Sequence, residues 1–175
     1  MLVLFVSEIP ALLGMSECTS SLEALEEVWK RNEPLKIPFT KKYLQNQRYR
    51  AYEKEEIVVK KRELVSGLLV VGRVVVTKGG TAVLMRRRKQ DEAEEIQEED
   101  RVCCEWYSWL FATESSMLEV NVVDGDQGYV EKEIRTNMHT FNQDKDALID
   151  LLNKTMISPC SHSGKEGSFD VIADE

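Results

Sequence analysis

The spacing of apolar residues predicts helices in the first third of the chain. Segment 22–31 has its apolar residues on one helix face: Leu22, Leu25, Val28 and Trp29. Ser20 and Glu23 have the spacing of a capping box, which indicates where that helix begins. Helical patterns are also present at 8–13 and at about 40–56.

From residue 57 the pattern changes to runs of β-branched residues, which predict strands. The predicted strands are 57–59, 68–76, 81–85, 117–123 and 129–135. A Gly-Gly turn at 79–80 joins the second and third, since glycine adopts positive φ freely. Two more helices are predicted, at 102–112 and 144–156. The first is rich in tryptophan and tyrosine, and we expect these rings to be core residues rather than a platform for stacked bases.

The order of elements is therefore helices, three strands, a helix, two strands and a helix. A mixed α/β fold, with a mixed central sheet flanked by helices, is the simplest arrangement that buries this pattern. Residues 1–157 are predicted to form one domain, and the acidic segment 158–175 is predicted to be a disordered tail. The apolar start at 1–6 is too short to span a membrane and is expected to pack into the core.

The charge balance limits the partners that this chain attracts. It has 23 Lys and Arg against 31 Asp and Glu, so its formal net charge is −8. Long-range attraction to nucleic acid or to an anionic membrane is therefore not expected. The four cysteines include no Cys-x-x-Cys pair, and we interpret them as reduced thiols of an intracellular protein, nuclear or cytoplasmic, without a zinc site.

The beginning of the chain contains a distinctive motif. Residues 7–15 read Ser-Glu-Ile-Pro-Ala-Leu-Leu-Gly-Met, and residues 21–31 continue with Ser-Leu-Glu-Ala-Leu-Glu-Glu-Val-Trp-Lys-Arg. These segments look like the Ser-[Glu/Asp]-Ile-Ala-Ala-Leu-Leu-Gly opening of the YqaJ-type viral recombinase nucleases, the group that includes lambda exonuclease. The resemblance runs in order from residue 3 to about 156 and implies a core of the PD-(D/E)XK nuclease fold.

The resemblance also marks where the chemistry of that family would lie. The family has an Asp-Gly on one strand, a Glu-x-Lys on the next, and a glutamine on a later helix. At the matching positions this chain has Val71, Leu84, Arg86 and Cys103. Valine and leucine offer no oxygen to Mg²⁺ or Mn²⁺, and arginine stays protonated, so metal-dependent cleavage of a phosphodiester is not expected. Glu53 and Glu56 are candidate remnants of a site.

A run of cations follows the third predicted strand: Arg86, Arg87, Arg88 and Lys89. These side chains are candidates for contacts with the phosphates of a nucleic acid. The sequence favours another interpretation, a solvated strand end that pairs with the acidic segment 91–100. Such pairing would mask the basic run, so any binding of nucleic acid is expected to be weak.

Three hypotheses about function follow from the resemblance. The first is a catalytically inactive nuclease-like protein that acts as a binding or scaffolding module, with a protein partner and no cofactor. The second is an active DNA exonuclease that uses Mg²⁺ or Mn²⁺ held by displaced carboxylates, for which the candidates are Glu56, Glu63, Asp91 and Glu92. The third is an unrelated interaction domain. The sequence favours the first hypothesis and leaves the oligomeric state open.

Overall fold

The computed structural model describes residues 2–32, 56–124 and 128–157. Its strands are β1 Leu2–Phe5, β2 Glu56–Val65, β3 Leu68–Val76, β4 Ala82–Arg88, β5 Ser115–Val122 and β6 Tyr129–Arg135. Its helices are α1 Ile9–Leu12, α2 Ser21–Asn32, α3 Gln90–Ala93, α4 Glu98–Phe111 and α5 Met138–Ile157, and a 3₁₀ turn, Val6–Glu8, precedes α1. The tail predicted at 158–175 lies outside the described residues, as does the helix predicted at 40–56 except for Glu56, which begins β2.

One mixed sheet is built around β3. Its order is β1-β3-β4-β5-β6, and β2 also pairs with β3, antiparallel and along the whole strand. β1 runs parallel to residues 68–71 of β3, whereas β4 pairs with only residues 75–76 of β3. β1 and β4 therefore share one edge of β3, and β4 separates from β3 after two residue pairs. Beyond β4 the sheet continues through parallel β5 and antiparallel β6.

The main core lies between one face of this sheet and the helices. Val102 and Trp106 of α4 are fully buried there, together with Leu25 of α2 and Leu148 of α5. Gly72 of β3 allows α4 to lie directly on the sheet. A Cβ at that position would be 2.5 Å from the Leu110 side chain and 2.8 Å from the Tyr107 ring, so any residue other than glycine would have to displace these two side chains.

The predicted fold class is confirmed, and so are several local predictions. The capping box forms, because the Ser20 N–H donates to Glu23 Oε2 at 2.9 Å and the Glu23 N–H donates to Ser20 Oγ at 3.3 Å. The expected burial of the apolar start is also confirmed, although residues 2–5 are a strand that the sequence did not predict. Among the described residues, every helix is too short or too polar to cross a bilayer.

Two predictions about the elements are wrong, and α4 and α5 begin earlier than predicted, at Glu98 and Met138. Leu22 and Trp29 are exposed rather than part of the buried face of α2, because α2 packs on α1 and β1 through an arc centred on Leu25 and Val28. The two exposed residues lie at the margin of that arc. β2 continues to Val65, far beyond the predicted 57–59, since full pairing with β3 holds its charged residues in the extended conformation.

Candidate functional site

The candidate site lies where β4 separates from β3 and faces the first half of α4. Leu84 of β4 is buried in the core that also contains Cys103 of α4. Side chains alternate between the two faces of a strand, so Arg86 and Arg88 follow Leu84 on the α4 side. The structure therefore brings together three of the positions singled out by the resemblance: Leu84, Arg86 and Cys103.

Val71 is not a member of this group. Gly72 faces α4, so the preceding residue, Val71, points toward the other face of the sheet. Val71 is buried, but it lies outside the core cluster that contains Leu84. A side chain at position 71 and a side chain at position 84 therefore face different spaces. Transferring the metal-binding aspartate of the family to Val71 does not produce a site shared with Leu84.

Two arginines of the basic run converge on Asp100, in the first turn of α4. Arg86 Nε donates to Asp100 Oδ1 at 2.8 Å, and Arg88 Nη2 donates to Asp100 Oδ2. Arg88 also donates to Gln97 Oε1 at 2.7 Å. The side chains are 1% exposed for Asp100, 8% for Arg88 and 34% for Arg86. We call these three residues, Arg86, Arg88 and Asp100, the ion triad.

The ion triad shows which cations of the basic run are paired and which are exposed. The predicted pairing with the acidic segment 91–100 is confirmed for Arg86 and Arg88. The predicted solvated strand end is wrong for Arg88, because its side chain is buried against α4. Arg87 and Lys89 are exposed, so the alternation along the strand divides the run into two inward and two outward cations.

Cys103, which the sequence resemblance aligns with the family glutamine, lies beside Arg86. Arg86 Nη2 is 3.9 Å from Cys103 Sγ, and that sulfur is 3.9 Å from the carbonyl oxygen of Val6. Burial alone would lower the pKa of Arg86, but the hydrogen bond to Asp100 and the nearby Cys103 raise it. Burial raises the pKa of Cys103 to about 11, although Arg86 opposes this change. Cys103 is therefore a neutral thiol near pH 7 and a poor nucleophile.

The carboxylates proposed as displaced metal ligands do not form a cluster in the described part of the chain. There, no group of three or more His, Cys, Asp or Glu could hold a metal ion. Glu63 accepts a hydrogen bond from the Gly67 N–H at 3.1 Å, at the β2–β3 turn, and Asp91 and Glu92 are exposed on α3. Glu53 lies outside the described residues, and nothing is described of the Glu56 side chain.

The motif at the start of the chain has a structural role around Glu8. Its carboxylate accepts the Phe5 N–H at 2.8 Å and Arg31 Nη2 at 2.7 Å. Arg31 also donates to the Val3 carbonyl oxygen at 3.0 Å, and its guanidinium lies 4.4 Å from the centre of the Phe5 ring. Burial raises the pKa of Glu8, while the Phe5 N–H and Arg31 oppose that change. This cluster fastens β1 and the 3₁₀ turn to α2.

Sequence reasoning found the basic run but missed the partner that fixes it. The sequence shows Asp100 only as one of several acids in segment 91–100. Its spacing carried a usable signal, because Asp100, Cys103, Cys104 and Tyr107 recur with the period of one helix face. A carboxylate on the apolar face of a helix is rarely buried without a cationic partner. The sequence therefore allowed the prediction that Asp100 pairs with a cationic side chain.

Comparisons with known proteins agree with the observed fold. No family model matches the sequence, and no curated protein matches it. The fold is similar to the crystal structure of an alkaline exonuclease (LHK-Exo) from Laribacter hongkongensis, with a TM-score of 0.57, 10% identity and coverage of 88% of each chain. It is also similar to the crystal structure of SSO0001, with a TM-score of 0.46, 14% identity, and coverage of 91% of this chain and 78% of that one. At 10% identity the likeness to the exonuclease establishes a nuclease-like fold and nothing finer.

Proposed function

We propose that this chain is a nuclease-like protein that does not cleave DNA and instead acts as a binding or scaffolding module in DNA metabolism. The observation that carries the proposal is the position of the Arg86 guanidinium. It lies where the resemblance puts the catalytic lysine, and it is bound to Asp100 beside the buried Leu84. The site is filled by a permanent cation and its counter-ion.

The local charges support this proposal. The ion triad contains two guanidinium groups and one carboxylate, so its formal charge is already +1. A divalent cation placed there would be repelled by both arginines, and Leu84 could not compensate because it has no oxygen. Arg86 cannot accept a proton from water at neutral pH. The neutral Cys103 thiol does not supply a base either.

The outward cations support a secondary role in contacts with nucleic acid. Arg87 and Lys89 are exposed at the end of β4, and each can reach one phosphate. Two such contacts on a chain of net charge −8 give weak binding, with a slope of log K against log salt of about −1.8 on duplex DNA. A protein partner is therefore the main ligand in this proposal.

A direct activity assay tests the proposal. Purified protein is incubated with 5′-phosphorylated linear duplex DNA and either Mg²⁺ or Mn²⁺, and acid-soluble nucleotide is measured. The expected result is no release above the protein-free control. The variants Glu53→Gln and Glu56→Gln probe the competing hypothesis, with the exposed α2 residue change Glu26→Gln as a matched control. DNA degradation that is lost in either of the first two variants but retained in the control would establish an active exonuclease.

A further inference from the structure

Strand β2 is one edge of the sheet. Its inner side pairs with β3 from Glu56 to Val65, and no other strand in the described part of the chain pairs with β2. Residues 59–63 are all exposed, so both faces of the strand are open to solvent there. An edge strand presents a row of N–H and C=O groups with which a further strand can pair. The outer side of β2 is therefore a surface to which a strand can be added.

This edge is long and regular. β2 has ten residues, and it keeps one register with β3 from Glu56 to Glu63. Proteins often protect an edge by making the strand short or by interrupting it with a bulge. Here the register shifts only between Glu63 and Val65, close to the turn into β3. The regular part of β2 is therefore long enough for an added segment of about six residues, a common strand length.

Three consecutive cations lie in the middle of this edge: Lys60, Lys61 and Arg62. Lys60 is opposite Gly72 and Arg62 is opposite Val70, and both of these β3 positions face α4. Lys61 lies between them, so it faces the other side of the sheet. The run therefore places positive charge on both faces of β2.

Aromatic rings at the end of α4 hold the two cations on the helix side. Lys60 Nζ lies 4.9 Å from the centre of the Phe111 ring, and the Arg62 guanidinium lies 4.5 Å from the centre of the Trp109 ring. Arg62 Nη1 also donates to the Trp109 carbonyl oxygen at 2.7 Å. Both cations remain exposed. Because these contacts already restrict the side chains, less freedom is lost when the cations bind an anion.

The three cations have no carboxylate partner in the part of the chain that the structure describes. Glu63, the next residue of β2, accepts a hydrogen bond from the Gly67 N–H at 3.1 Å. Glu114 shares the wall of a neighbouring cleft with Arg62, but no ion pair joins the two side chains. Three cations and these two acids give the edge a local formal charge of +1, on a chain of net charge −8. The edge therefore favours an anionic ligand.

We propose that the outer edge of β2 binds an extended acidic segment of a partner protein as an added β-strand. Main-chain hydrogen bonds supply the affinity in this mode of recognition, and side chains supply the specificity. The side chains of an added strand alternate between the two faces in the same way as those of β2. Three consecutive carboxylates in the segment would therefore lie opposite Lys60, Lys61 and Arg62, as favourable cross-strand pairs.

The alternation of the cations favours a peptide strand over other occupants. A nucleic-acid strand lying on the α4 face would contact Lys60 and Arg62 but not Lys61. A second copy of this chain is also disfavoured, because antiparallel pairing of β2 with itself about Lys61 places Lys60 opposite Arg62. Lysines on an edge strand discourage pairing with strands in general, and an acidic strand is the one whose charge they attract.

Fluorescence polarisation with labelled peptides tests the inference on the full chain. The probe is Thr-Val-Glu-Glu-Glu-Val-Thr, which reads the same in both directions and so fits a parallel or an antiparallel strand. One control, Thr-Val-Gln-Gln-Gln-Val-Thr, lacks the charges. A second control has the probe sequence with N-methylated glutamates, so it keeps the charges but cannot pair as a strand. We expect saturable binding of the probe below about 1 mM, and binding of each control weaker by about fivefold or more.

Matched variants assign the binding to β2. Lys61→Glu should weaken binding of the probe by about fivefold or more, because like charges directly opposite each other destabilise a strand pair. Lys89→Glu, an equal change of charge at the exposed end of β4, should alter binding by less than about twofold. Both lysines are exposed, so neither change should lower the melting temperature appreciably.

Several results would overturn the inference. They are a probe that fails to saturate, an N-methylated peptide that binds as tightly as the probe, or equal effects of the two lysine variants. Displacement of the probe by an equal concentration of single-stranded oligothymidylate would also overturn it, since the edge would then bind polyanions in general. The inference gives the proposed binding role a class of partner. An active nuclease could carry the same edge, so peptide binding and the proposed lack of DNA cleavage fail independently.

Discussion

Replacing Asp100 by asparagine removes the only carboxylate of the ion triad while keeping the size of the side chain. Arg86 and Arg88 would then face each other across a neutral amide, and Arg88 is 8% exposed. Removing one partner of a buried ion pair typically costs about 3–5 kcal/mol, because the remaining charge is left uncompensated. Arg86 is 34% exposed and can recover part of its hydration, so we expect the lower end, about 3 kcal/mol.

The assay is urea unfolding followed by circular dichroism, with Glu99→Gln as the control. Glu99 is the neighbouring acid in the same first turn, but it is exposed. Its replacement should cost no more than about 1 kcal/mol, the size of a helix-terminus charge effect. In a chain of this length, 3 kcal/mol corresponds to a fall in melting temperature of about 6–12 °C. Equal losses for Asp100→Asn and Glu99→Gln would show that the ion triad does not stabilise the fold.

A second variant distinguishes an uncompensated charge from a general packing defect. Adding Arg88→Met to Asp100→Asn removes the most buried cation, so it should restore part of the lost stability. Apolar side chains of similar volume often replace buried ion pairs at little cost. If the double variant is less stable than Asp100→Asn alone, repulsion between the arginines is not the cause of the loss.

Three further predictions concern packing, ionisation and binding. Gly72→Ala should lower the melting temperature by an amount equivalent to about 1–3 kcal/mol, because its Cβ would overlap α4, whereas Gly79→Ala, with its nearest neighbour at 3.8 Å, should change it little. Burial raises the pKa of Cys103 to about 11 from an ordinary value near 9, so the unfolded chain loses the thiol proton at lower pH than the folded chain, and the free energy of unfolding should fall as pH rises above about 9. Peptide mapping after alkylation at pH 8 should show that the exposed Cys18 is modified and that the buried Cys103 is protected. Reaction of both thiols at equal rates would contradict this. Arg87→Ala should reduce the salt slope of duplex DNA binding by about 0.9, and an unchanged slope would remove Arg87 from the interface.

Local sequence patterns predicted the elements whose ends are marked by neighbouring residues in the sequence. β3 and β6 have the predicted bounds, Leu68–Val76 and Tyr129–Arg135, because β-branched or alternating residues end at clear turn signals. β1 was missed because four apolar residues define neither a period nor a partner. Its strand conformation depends on parallel pairing with β3, more than sixty residues away along the chain. Such pairing is a tertiary effect that overrides local preference.

The candidate site was predictable in position but not in orientation. The order of the elements brought Leu84, Arg86 and Cys103 to one place, as the resemblance implied. The side on which Val71 lies depends on the register of β3, and a shift of one residue reverses every side chain of a strand. The sequence contains no direct record of that register. The ion triad likewise depends on how α4 crosses β4, so Asp100 could be recognised only as a buried acid in need of a cation.

A titration with Mn²⁺ tests the central claim most directly. Isothermal calorimetry of the full chain, repeated with Glu53→Gln and Glu56→Gln, measures whether any protein acids hold a divalent ion. The account predicts no saturable site tighter than about 1 mM, since the proposed site offers the apolar Leu84 where the resemblance puts a metal-binding carboxylate, and the Arg86 guanidinium beside it repels a cation. A stoichiometric site that disappears in either variant, with Mn²⁺ held by carboxylates beside β4, would contradict it.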